Sequence, residues 1–107
     1  MNGSIPPGLL EDAADAVALV ERQRRSDVEW ETTMEAMERL ASGLRTVDPA
    51  LVEQAVRRLD ALAGTRAAVP LGPSASPPPP PVRELQNRLV TEIGRLQRAL
   101  DEGGRSS

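Results

Sequence analysis

The chain has 107 residues, a formal net charge of −3, no Cys, His, Lys, Phe or Tyr, and Trp30 as its one aromatic residue. That composition excludes disulfides, zinc fingers and thiol chemistry, and an acidic surface without Lys is a poor match for phosphate backbones, so no nucleic-acid binding is expected. The length leaves room for one domain. A core limited to Leu, Val, Ala and a few larger residues suits helix-on-helix packing, supplemented by a partner or a second copy.

Residues 1–8 are expected to form a disordered N-terminus. They carry no basic cluster, and the apolar run behind them is broken by Glu11, Asp12 and Asp15. That pattern is neither a signal peptide nor a membrane span, and a cytoplasmic protein is expected. Pro6-Pro7-Gly8 is a breaker, so a first helix is predicted over Leu9–Arg25. Its face is Leu10, Ala13, Val17 and Val20 at three-four spacing. Glu11 and Asp12 in its first turn and Arg22, Arg24 and Arg25 in its last would complement the helix dipole.

Ser26-Asp27-Val28-Glu29 reads as a capping box opening a second helix over Asp27–Arg45. The apolar face of this helix is Trp30, Met34, Met37, Ala41 and Leu44, and Gly43 weakens its last turn. A single bent helix from Leu9 to Leu44 is the alternative. The third helix, Pro49–Ala63, is the best marked. Asp48 is an N-cap and Pro49 occupies the first helical position. Val47 and Val52 have staple spacing, and Gly64 is the expected C-terminal cap.

Residues 67–81 are expected to be a proline-rich spacer, exposed from Gly72 onward and ending in five consecutive prolines, Pro77 to Pro81. The fourth helix, Pro81–Leu100, alternates steps of three and four through Val82, Leu85, Leu89, Ile93, Leu96 and Leu100. Gly103-Gly104 should end it and leave 103–107 as a disordered tail. Glu precedes Arg by four residues in Glu21–Arg25, Glu35–Arg39, Glu53–Arg57 and Glu84–Arg88. Most charged residues are therefore read as solvated helix faces. The expected fold is all-α, a small bundle of three to four helices with the proline-rich spacer before the last. Residues 9–66 would form the helical hairpin or bundle, and 82–102 the C-terminal amphipathic helix.

Catalytic equipment is missing from the sequence. There is no His for general acid–base work, no G-x-S-x-G or S-x-x-K motif and no phosphate-binding loop. Acid pairs such as Asp12 with Asp15 and Glu35 with Glu38 read as surface, because helical di-metal sites usually add His to such pairs. No cofactor, no metal and no enzymatic activity are expected. Trp30 has two readings, a half-buried core residue or an interface anchor, since Trp is enriched at binding hot spots. Met34 and Met37 extend its face. Helix 3 offers too little bulk to cover both this stripe and that of helix 4. The expected partner-binding residues are therefore Trp30, Met34 and Met37 on helix 2, with Leu85, Asn87, Leu89, Val90, Ile93 and Leu96 on helix 4.

The order of these features resembles one family. A Trp opens an amphipathic helix with Leu40 and Leu44 on later turns. A break leads through Asp48 to a helix ending in Leu59 and Leu62, followed by Gly64-Thr65-Arg66. After a spacer comes Pro-Pro-Pro-Val-Arg-Glu-Leu-Gln-Asn-Arg-Leu-Val, Pro79 to Val90. This is similar to the CATRA-associated small proteins of bacteria, over roughly Asp27 to Leu96, with Pro79–Val90 the most specific piece. The resemblance implies a non-enzymatic accessory or regulator in a bacterial conflict or immunity system, beside a CATRA-domain or caspase-like effector. The competing expectation is a self-assembling homo-oligomer, with helix 4 pairing as a coiled coil.

Overall fold

The computed structural model describes residues 5–68 and 76–105, and these contain four helices and no strand. The helices are α1 (Pro7–Val20), α2 (Asp27–Thr46), α3 (Pro49–Ala68) and α4 (Pro80–Arg105). The protein is thus an all-α bundle.

The short-range start signals act as the sequence predicts. Ser26 and Glu29 form a complete capping box: the Glu29 N–H donates to Ser26 Oγ at 3.3 Å, and the Ser26 N–H donates to Glu29 Oε1 at 2.9 Å. This box separates α1 from α2, so the single bent helix does not form. Asp48 accepts the Leu51 N–H on Oδ1 at 3.3 Å and caps α3. Val47 between the two helices has φ 53°, the left-handed region, which costs a side-chain-bearing residue about 1–2 kcal/mol. The turn is held by the Asp48 N–H, which reaches back to the Gly43 carbonyl at 2.8 Å, the six-to-one closure of a Schellman motif.

The ends differ more from expectation. α1 stops at Val20, not Arg25, because the chain tightens: the Arg22 and Gln23 N–H groups donate to Leu19 and Val20 carbonyls three residues back. Arg25 then leaves the helical path to make a tertiary contact. α3 continues through Gly64 to Ala68. A helical Gly costs only about 1 kcal/mol against Ala, and the sequence offers no stronger breaker before Pro70. α4 likewise runs past Leu100 through Gly103 and Gly104 to Arg105, and nothing in the structure explains why the pair does not stop it. At the N-terminus, Ile5 is buried in the core, so the expected disorder of 1–8 does not hold there; residues 1–4 lie outside the described part, as do 106–107 of the expected tail.

α2 and α3 pack as an antiparallel pair, α1 lies against α4 and α3, and α2 also meets α4. α1 and α2, consecutive in sequence, therefore sit diagonally. The α2–α3 crossing is close at Gly43, where a Cβ would come within 2.9 Å of Val52 Cγ2 and 3.0 Å of Val52 N. Gly43 is there to admit α3, beyond any weakening of its own turn. α2 and α4 run in the same direction, since Asp27 and Trp30 lie beside Pro79 and Val82 while Ala41 and Arg45 lie beside Leu85 and Glu92.

The core is continuous from Ile5 to Ile93 and joins all four helices. Trp30, Met37, Leu40, Leu44, Val52, Leu85, Leu89 and Ile93 are all buried in it. Each large aliphatic side chain so buried contributes about 1.5–3 kcal/mol. Burial fades along α4, with Leu96 and Leu100 only half-covered. The stripe that would have zipped α4 to a second copy as a coiled coil is thus occupied by the chain's own α1 and α2.

Candidate functional site

Three places combine exposed or polar chemistry with definite geometry: the end of the bundle around Arg25, the seam between α2 and α4, and the outer side of α4.

At the bundle end, the link before α2 meets the last residues before α4. The Arg25 N–H donates to the Ser76 carbonyl at 2.9 Å and the Ser76 N–H donates to the Arg25 carbonyl at 2.9 Å, an isolated antiparallel bridge. The Ser76 carbonyl also accepts the Trp30 indole N–H at 3.0 Å. The Arg25 side chain is only 2 % exposed. Its guanidinium donates to Gln23 Oε1 and sits 5.7 Å from the centre of the Trp30 ring, within cation–π range. Pro78 is buried and Pro79 half-buried. The exposure the sequence predicts from Gly72 to Pro81 therefore holds at Pro77, Pro80 and Pro81 and not at Ser76, Pro78 and Pro79, while 72–75 lie outside the described residues. The physical reason is that prolines shed little entropy on ordering, having a fixed φ, while Ser76 supplies the backbone N–H donor they lack.

A second polar anchor was not foreseen. Gln86 is buried and its Nε2 donates to the Val17 carbonyl at 2.9 Å. Val17 belongs to the last four residues of α1, whose carbonyls the helix itself leaves without partners. Gln86 thus caps one helix from another. Every buried side-chain polar atom among the described residues has a hydrogen-bond partner.

The expected partner-binding residues divide by burial. Trp30, Met37, Leu85, Leu89 and Ile93 are core residues, with Trp30 at 3 % exposure, which corrects their reading as partner-facing surface: α1 and α2 both pack directly on α4, so its stripe does not depend on α3 for cover. Met34 and Leu96 are half-buried at the core edge, and Asn87 and Val90 are exposed. Val90 is 52 % exposed, one of three large apolar residues left in solvent among the described residues, with Leu19 and Val28. A shallow depression on another side of α4 is lined by Asn87, Arg88, Thr91, Glu92 and Arg95.

The seam between α2 and α4 carries two successive depressions. The first, of about 430 Å³, has a floor of Trp30, Met34, Pro79, Pro81 and Val82 and a rim of Asp27, Glu31, Glu35 and Glu38. The second, of about 340 Å³, has Ala41, Leu85 and Leu89 at its base and Arg45, Arg88, Arg95 and Glu92 around it. Glu92 pairs with Arg95 at 3.4 Å. The four rim carboxylates, Arg45 and Arg88 form no ion pair with any described residue. Of the four Glu-to-Arg pairs read from the sequence, Glu53–Arg57 forms, at 3.2 Å and in solvent. Glu35–Arg39 and Glu84–Arg88 do not, and Glu21–Arg25 has no helix to span, since α1 ends at Val20. Among the described residues no group of acidic side chains converges to hold a metal ion, and no helix is long and apolar enough to cross a membrane.

A family model described as CATRA-Associated Small Protein matches residues 12–103. No curated protein and no solved structure matches the chain.

Proposed function

The chain belongs to the family of CATRA-Associated Small Proteins, and from that premise we propose that it is a non-enzymatic accessory that binds a CATRA-domain or caspase-like protein through the outer side of α4. In this reading it acts in the cytoplasm, as an accessory or regulator in a bacterial conflict or immunity system.

The observation that carries the surface is Val90. A lone exposed aliphatic means little by itself. Val90, however, closes the Pro79–Val90 segment, where the family resemblance is most specific, and it stands in mid-helix with about half of its surface open. Asn87 is exposed on the preceding turn. Neither side chain serves the fold, so both are available to a partner, the Asn amide as donor and acceptor and the Val as apolar contact. Val82, Leu85, Gln86 and Leu89 of the same segment face the core and hold that surface rigid, which lowers the ordering cost of binding.

The test is a pull-down and titration of the full chain against the CATRA-domain protein of its own host. Val90→Arg and Asn87→Arg should weaken binding at least tenfold while the helical dichroism stays unchanged. Binding that ignores both variants removes this surface from the account, and absence of any binding removes the partner.

A further inference from the structure

We propose that the α2–α4 seam is a self-complementary docking surface on which a second copy of this chain sits antiparallel, giving a two-fold dimer. The seam's two depressions carry opposite charge. Asp27, Glu31, Glu35 and Glu38 rim the first with no cation among its lining residues. Arg45 and Arg88 face the second, where the one carboxylate, Glu92, is already taken by Arg95. Asp27, Glu31, Glu35, Glu38, Arg45 and Arg88 form no ion pair with any described residue.

The geometry then selects the occupant. Glu31 and Arg45 are fourteen residues apart on one straight helix, or about 21 Å. A partner that satisfies both depressions must present cations at one end and carboxylates at the other, about 21 Å apart. A second copy turned end for end meets that requirement at its ends: in an isologous interface Glu31 of each chain faces Arg45 of the other, with the two exposed Glu38 side chains near the two-fold axis. The parallel arrangement sets like charge on like and is disfavoured. Met34 and Ala41, both half-buried on the seam, with Pro79 and Pro81, give the contact an apolar centre between the two charged ends.

Size sets the strength. The seam runs from Asp27 to Arg45, about 27 Å along α2, and two packed helices present a face roughly 20 Å wide. That is roughly 500 Å² per copy, at the low end for a specific interface. The dimer should therefore be reversible, concentration-dependent and weakened by salt, because its charges lie at the rim.

This surface adjoins the one proposed for the CATRA-domain partner at Asn87, which shares a depression with Arg88, but not at Val90. Val90 stands two residues from Arg88, so the two point to nearly opposite sides of α4. The test uses the purified chain with no other protein present, so its result stands apart from that of the CATRA titration. Sedimentation equilibrium across a concentration series at low salt should show a monomer of 11.5 kDa passing to twice that mass. Asp27→Arg with Glu31→Arg and Glu35→Arg makes both ends basic, and Arg45→Glu with Arg88→Glu makes both ends acidic. All five positions are exposed, and dichroism checks that each variant stays folded. Each variant alone should self-associate at least tenfold more weakly. Mixed one to one, they should form a heterodimer at least as tight as the wild-type pair. A wild-type chain that stays monomeric throughout, a dimer indifferent to both reversals, or a mixture that fails to pair would each overturn the proposal.

Discussion

The two ends of the bundle are built on different physics. At one end Val47 and Asp48 turn the chain from α2 into α3 by local means: a left-handed residue, a six-to-one closure and an Asp cap, all within a few residues. At the other end Arg25, Trp30 and Ser76 are joined across 46 and 51 positions of sequence. The first end forms as soon as its own segment folds. The second forms only when α1, α2 and the approach to α4 have come together, and so it reports on the whole bundle.

The largest effect should come from the long-range end. Trp30→Ala removes a buried ring together with the donor to the Ser76 carbonyl, and should cost about 3–5 kcal/mol in denaturant unfolding. Trp30→Phe keeps most of the packing and should lose only about 1–2 kcal/mol, the share belonging to the indole hydrogen bond. Equal losses in the two variants would mean that the bond to Ser76, not the ring, holds this end.

At the local end Gly43→Ala comes next. The added methyl meets Val52, including its backbone nitrogen, and should cost about 1–3 kcal/mol through overpacking, where an exposed helical Gly→Ala would stabilise. A stabilised variant would show that α2 and α3 are not held as closely as described. Asp48→Ala should lose only about 1 kcal/mol, the worth of one N-cap; a loss several times larger would make the turn a cooperative part of the core and erase the contrast between the ends.

The same contrast explains what could be read from the sequence. The Ser26–Glu29 box, the Asp48–Pro49 start and the α4 stripe are signals contained within one or two turns, and each appears where expected. Gly43 looked like a weak point because its purpose lies in another helix. Gln86 lies beside the Leu85–Leu89 stripe and bonds a carbonyl 69 positions away; the one available hint was that α4 must face both α1 and α2, which widens its buried arc. Ser76 gave no signal in a low-complexity run, and Arg25 read as a helix-end cation. Burial of Trp30 left the exposed members of the expected site, Asn87 and Val90, as the surface a partner can reach. The opposed charges of the seam were visible as residues but not as a pattern, because their meaning depends on α2 and α4 running in the same direction.

The most direct measurement is the dissociation constant between the full chain and the CATRA-domain protein of its host, for the wild type and for Val90→Arg. The account predicts saturable binding that weakens at least tenfold in the variant, with unfolding stability unchanged within about 0.5 kcal/mol, as for a surface substitution. An unchanged dissociation constant in a folded variant would contradict it.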